Sequence, residues 1–169
     1  MENVNKTLEK LELAQIGWVV PDIHAAVKFF TNVLRIPGFP EPEHVRAQDL
    51  NMTYFGEVVP GEWLTTQAYN GGAFIELIQP VSGQSMFHDY LAQYPKGGTQ
   101  HIAFRLPVSG FERVTDELHE QGYAKISHVD HPIARMAFFD TYKPLGVATE
   151  IMGITPQGWI EVEKMEKVR

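Results

Sequence analysis

Gln15-Ile-Gly-Trp-Val-Val-Pro21 and His101-Ile-Ala-Phe-Arg-Leu-Pro107 decide the fold, because they are one pattern written twice. From Ile16 and from Ile102 each run reads Ile, small, aromatic, any residue, aliphatic, Pro, at an offset of 86 (102 − 16). Each is a short apolar strand ended by a proline, with a helical pattern after it. In the first copy Asp22 stands where a helix N-cap accepts backbone N–H groups, and in the second Ser109 is the expected cap. An internal duplication of this kind constrains the whole architecture.

Outward from these strands the two halves read alike. In the first, the strand spans Leu13 to Val20. Ala26, Val27, Phe29, Phe30, Val33 and Leu34 then fall at helical spacing until Pro37-Gly38. Strands are expected at about Asp49–Val58, Trp63–Tyr69 and Ala73–Gln79, with Pro60-Gly61 and Asn70-Gly71-Gly72 as turns. A short helix, Met86 to Tyr94, leads to Pro95 and Gly97-Gly98. In the second half a helix from Phe111 to Gln121, stopped by Gly122, precedes strands near Tyr123–His128, Ala134–Phe139 and Val147–Met152. The expected class is α+β. Two βαβββ modules, at about 13–80 and 100–152, pair into a curved, half-barrel mixed sheet in a single domain spanning 1–169. A C-terminal tail covers 156–169, within which Trp159 to Val168 reads as amphipathic.

With 169 residues, 44% hydrophobic and 21% charged, the chain can bury a core without crosslinks. Its net charge of −7 repels a phosphate backbone or an anionic membrane, so neither nucleic acid nor a membrane is expected as partner. With no cysteine, disulfides, thiolate metal sites and cysteine nucleophiles are excluded, and any metal must be held by N and O donors. Met1-Glu-Asn-Val-Asn-Lys6 has no apolar leader pattern and no run approaches a membrane span, so a cytoplasmic location is the expectation.

Strand parity isolates four polar residues among apolar neighbours. Gln15 shares a face with Leu13, Gly17 and Val19; Glu76 with Phe74 and Ile78; His101 with Ala103 and Arg105; Glu150 with Ala148 and Met152. A carboxylate in such a strand must be protonated, paired or bound to metal. Taken singly, each reads more simply as a satisfied core group, and the two glutamates could pair with Arg105 or Arg135. Their positions match, however: Gln15 and His101 occupy the first strand of each module, Glu76 and Glu150 the last. One imidazole, two carboxylates and an amide suit one divalent metal ion, Zn, Ni, Co, Mn or Fe(II), with waters at the open positions. Glu43 and Asp49 are candidates for an outer base. His128-Val-Asp-His131 reads as a strand-end turn rather than a second metal site.

These segments, with Gly72-Ala-Phe-Ile-Glu-Leu-Ile-Gln-Pro80, Gly98-Thr-Gln-His-Ile-Ala-Phe104 and Gly146-Val-Ala-Thr-Glu-Ile151, resemble the vicinal oxygen chelate superfamily of glyoxalases, bleomycin resistance proteins and dioxygenases. The likeness runs from Leu13 to Met152 and is strongest to the glyoxalase I and methylmalonyl-CoA epimerase-like branch. It implies that Gln15, Glu76, His101 and Glu150 are the metal ligands. It also implies a metal-dependent lyase or isomerase that abstracts a proton next to a carbonyl of a small 2-oxo or acyl substrate, CoA- or glutathione-linked in some relatives. Glu150 is the expected base and Glu76 its partner acid. An Fe(II) dioxygenase or a non-catalytic antibiotic binder is the alternative; the single histidine disfavours the first and the intact ligand set the second. The resemblance also implies a homodimer. The chain departs from the family at Leu34-Arg-Ile-Pro-Gly38, where Leu-Gly is usual, and in having no counterpart of the arginines that hold glutathione. Arg105 is weighed as a substrate anchor against an ordinary ion pair.

Overall fold

Pro21 ends the first strand, and the Asp22 carboxylate caps the helix after it by accepting a hydrogen bond from the Ala25 amide at 2.9 Å. This is the transition expected from the sequence, and the computed structural model, which describes residues 10–167, contains a strand-to-helix passage in both halves. The N-terminal Met1–Lys6 and the end of the tail, 168–169, lie outside the described residues. The first half consists of β1 (Glu12–Val19), α1 (Ile23–Lys28), β2 (Glu43–Arg46), β3 (Thr53–Tyr54), β4 (Glu57–Val58), β5 (Glu62–Asn70) and β6 (Ala73–Ser82). Then come α2 (Met86–Gln93), β7 (Gly98–Pro107), α3 (Phe111–Glu120), β8 (Lys125–His131), β9 (Ala134–Phe139), α4 (Tyr142–Leu145), β10 (Ala148–Ile154) and α5 (Pro156–Glu166).

The strands form one curled mixed sheet in the order β2-β5-β6-β1-β7-β10-β9-β8-β3-β4. At its centre β1 and β7 run antiparallel, each flanked by a parallel partner, β6 and β10 respectively. The registers repeat as well: Gly17 faces Glu76 across β1 and β6, and Ala103 faces Glu150 across β7 and β10. Each glutamate therefore sits opposite the residue two beyond Gln15 or His101. The class is the α+β half-barrel expected.

Two details differ from expectation. The strand beside β5 is Glu43–Arg46, not Asp49–Val58. The latter stretch begins as a 3-10 turn over Ala47–Leu50, bends through Asn51 at φ 48°, and ends in the hairpin of β3 and β4, which pairs with β8 of the other half. The Ser127 hydroxyl donates to the Thr53 carbonyl at 2.6 Å and the Phe55 amide to the Ile126 carbonyl at 2.8 Å, so this strap ties the two ends of the curl together. Ser109 is not a cap: it lies in a 3-10 turn, Val108–Gly110, and α3 starts after Gly110 without a side-chain cap. The tail adds a regular element, α5, capped by the Thr155 hydroxyl with Pro156 in its first turn.

On the convex side α3 lays Phe111 and Val114 onto Leu106, Phe139 and Ile151, each buried aromatic or aliphatic side chain contributing about 2 kcal/mol. Inside the curl, α2 closes one end by packing Phe87 edge-on to Trp63, with ring centroids 5.2 Å apart. Val19, Met52, Ile78, Val129 and Phe138 complete this inner core. No helix among the described residues is long and apolar enough to cross a membrane.

Candidate metal centre

The four central strands aim two rows of side chains into the curl. Across β6, β1, β7 and β10 one row runs Glu76, Gly17, His101, Ala148, and the next runs Phe74, Gln15, Ala103, Glu150. The polar residues thus stand at the corners and small residues lie between them. Gly17 is required for this. A Cβ there would fall 2.0 Å from His101 Cε1 and 2.4 Å from each ring nitrogen, so the imidazole lies directly on the β1 backbone.

The four residues singled out in the sequence come together. His101 Nε2 is 3.3 Å from Glu76 Oε2, 3.4 Å from Glu150 Oε2 and 3.4 Å from Gln15 Nε2, and the Gln15 amide also donates to Glu76 Oε2. Thr65 on β5 donates to the other Glu76 oxygen at 3.2 Å. Gln15, His101 and Glu150 are buried, His101 completely, whereas the Glu76 side chain keeps 20% of its exposure and faces the opening.

His101 is oriented from behind by a residue that strand parity does not reveal. Gln100 Oε1 lies 2.7 Å from Nδ1, and Gln100 Nε2 donates to the Tyr142 hydroxyl at 3.1 Å. Strict alternation would put neighbouring side chains on opposite faces. The β1/β7 register shifts here, with Gly17 opposite His101 but Trp18 opposite Thr99, so Gln100 is the extra residue of a β-bulge. An amide oxygen can only accept, so Nδ1 carries the proton and Nε2 is directed at the carboxylates.

Burial pushes the Glu150 carboxyl up to about 7, with the His101 charge pulling it down and Glu76 pushing it up. For His101, burial lowers the pKa, but the hydrogen bond to Glu76 and the charges of Glu150 and Glu76 outweigh it and the net shift is upward. Glu150 Oε2 is buried and has no hydrogen-bond partner. Such an oxygen costs about 1–3 kcal/mol unless something answers it. Among the described residues no group of three or more His, Asp or Glu side chains is arranged as it stands to hold a metal ion. The residues nevertheless fit a divalent ion in kind: a buried carboxylate oxygen without a hydrogen bond, a second carboxylate, an Nε2 lone pair aimed at both, and an amide that can turn its oxygen inward.

Other candidates fall away from this centre. Arg105 pairs with Glu166 at 2.9 Å and Glu12 at 3.5 Å and stacks over Trp159, which ties α5 to the sheet and leaves no anchor for substrate. Arg135 pairs with Glu112 and Asp130, not with the buried glutamates. Three residues apart on one strand, His128 and His131 point to opposite faces. Glu43 is exposed on edge strand β2, opposite Thr65, and lines the outer part of the trough; Asp49 lies in the 3-10 turn.

The family model for the glyoxalase/bleomycin resistance protein/dioxygenase superfamily matches residues 14–138. The chain belongs to this superfamily. Among solved structures, a hypothetical protein, BH1468, from Bacillus halodurans C-125 is similar at 24% identity and TM-score 0.60, over 86% of this chain and 95% of that one. Methylmalonyl-CoA epimerase from Mycobacterium tuberculosis is similar at 19% identity and TM-score 0.59, over 86% and 89%. A Streptomyces coelicolor methylmalonyl-CoA epimerase variant in complex with 2-nitronate-propionyl-CoA gives 19% and 0.57, over 86% and 96%. At these identities the likeness establishes the shared fold. No curated protein matches the chain.

Proposed function

We propose that this vicinal oxygen chelate protein is a metal-dependent isomerase, epimerase or lyase that removes a proton next to a carbonyl on a small 2-oxo or acyl substrate. The observation that carries this reading is the meeting of Gln15, Glu76, His101 and Glu150, from both repeats, around His101 Nε2. Gln15 Oε1, His101 Nε2 and the two carboxylates would hold the ion. When bound, a divalent cation supplies Lewis-acid stabilisation for negative charge developing on a substrate carbonyl oxygen.

The chain's own residues do the rest. The Glu150 carboxylate, at the floor of the trough, takes the proton from the carbon beside the carbonyl. Glu76, at the position the repeat relates to Glu150 and partly exposed, takes up a proton from solvent and passes it to the carbon from the other side while Glu150 keeps the one it removed, so reprotonation inverts or relocates the centre. Gln100 holds the His101 tautomer, and the apolar walls of the trough exclude water. A homodimer, which the family resemblance implies, is part of this proposal.

Metal analysis of the purified protein followed by hydrogen–deuterium exchange on 2-oxo and acyl-CoA compounds tests the reading. Metal-dependent exchange of the proton next to the carbonyl, lost in Glu150→Gln, is the expected result. Exchange that persists in the metal-free protein, or none with any carbonyl compound tried, argues against it.

A further inference from the structure

The trough has two chambers that share Thr65 and Glu76. The inner one, about 190 Å³, ends at Gln15, Glu76 and Glu150, with walls that include Met52, Trp63, Val129, Met136 and Phe138. The outer one, about 290 Å³, leads to it past Glu41, Glu43, Gln67 and Met165. No lysine or arginine lines either chamber among the described residues. The cation nearest in the sequence pattern, Arg105, is occupied by Glu12, Glu166 and Trp159.

Charge and shape then select the ligand. The carboxylates of Glu76 and Glu150 balance a divalent ion, so the centre presents no net positive charge, and Glu41 and Glu43 make the approach negative. An ionised carboxylate or phosphate entering the inner chamber would lose its hydration, at a cost of several kcal/mol, with no counter-charge to meet it. The chamber walls instead favour apolar area, at about 25 cal/mol per Å² removed from water. A dry apolar cavity of about 150 Å³ is known to admit a benzene ring, so this one has room for a single six-membered ring and little more.

From this we infer that the site takes an uncharged compound with two adjacent oxygens, a carbonyl beside a hydroxyl or second carbonyl, carried on a compact aromatic or branched aliphatic body. This rests on the metal reading above and narrows it: free 2-oxo acids are disfavoured at the reacting end, and a bulky anionic carrier has no place in the inner chamber.

Three probes of matched chelating geometry test the inference on the full-length protein loaded with zinc. 2-Hydroxyacetophenone is neutral and carries a ring, benzoylformate has the same ring and oxygen spacing with a negative charge, and hydroxyacetone is neutral without the ring. Metal stoichiometry is measured first, and then each affinity by calorimetry. We expect one ion per chain and 2-hydroxyacetophenone bound about tenfold or more tighter than either other probe. Glu43→Gln with Glu41→Gln should raise benzoylformate affinity while leaving that of 2-hydroxyacetophenone unchanged. Failure to take up an ion overturns the metal reading and this inference with it. One bound ion together with benzoylformate or hydroxyacetone binding as well as 2-hydroxyacetophenone, or no binding of the latter, overturns the inference alone.

Discussion

Gly17 and His101 define the centre as a pair, because the imidazole occupies the space that any side chain at position 17 would fill. In Gly17→Ala the ring must move away from Glu76 and Glu150. We expect metal affinity to fall about 100-fold, while far-UV circular dichroism stays that of the wild type. Glu150 makes a second claim at this scale. Its folded pKa, about 7, lies above the ordinary carboxyl value of 4.5, so the unfolded chain ionises at lower pH than the folded one. In the metal-free protein the stability this group allows is intact below pH 4.5 and is lost as pH rises to about 7, a loss on the order of 3 kcal/mol. The raised His101 pKa acts in the same direction at higher pH, being lost as pH climbs through its folded value. Urea unfolding at pH 5 and pH 8 in a chelator should show wild type weaker at pH 8 and Glu150→Gln much less so, at the expense of metal binding. Equal pH dependence in the two proteins would contradict the assignment. All four residues of the proposed centre are legible from strand parity, since a polar residue between apolar neighbours stands out. Gly17 registered only as a small residue, because its constraint comes from a ring 84 positions away (101 − 17).

At the scale of elements, alternation served well where strands are regular and failed where they are not. Gln100 is not legible because a bulge in β7 turns two successive side chains toward one face, and no residue type in Gly98-Thr-Gln-His101 signals it. Gln100→Leu keeps the apolar volume but leaves Nδ1 without its acceptor. We expect metal affinity to drop about 10- to 100-fold, with a smaller loss in Tyr142→Phe, and the Nδ1 proton resonance of His101 to change in NMR spectra of the metal-free protein. If Gln100→Leu leaves both untouched, the bulge has no part in orienting the ligand. Strand β2 is hard to read in the sequence for another reason. Glu43-His-Val-Arg46 is charged and mostly exposed, as an edge strand that resists further pairing should be, so it lacks the apolar run by which strands are found. The more apolar Asp49–Val58 looked like a strand, yet Asn51, Phe55 and Gly56 all take positive φ and break it into a turn and a two-residue hairpin.

For the molecule as a whole, duplication was the most readable property, because it is a relation within the sequence and needs no knowledge of the turns. The attachments that close the curl, the strap at 47–58 and α5, have no counterpart in the repeat and were correspondingly obscure. Helix α5 lies over the outer chamber: Met165 lines it, Gln67 donates to the Met165 sulfur at 3.7 Å, and Arg105 joins Trp159 and Glu166 to the sheet. Trp159→Ala should destabilise the protein by about 1–2 kcal/mol in chemical denaturation through lost stacking and packing, with metal stoichiometry unchanged. The central claim, that two repeats supply one metal with a single imidazole and otherwise oxygen donors, is tested most directly by X-ray absorption of the zinc-loaded protein. A first shell with one imidazole per ion, lost when His101 is replaced by alanine, is the expected result. Two or more imidazoles, or an unchanged spectrum in His101→Ala, would place the metal elsewhere.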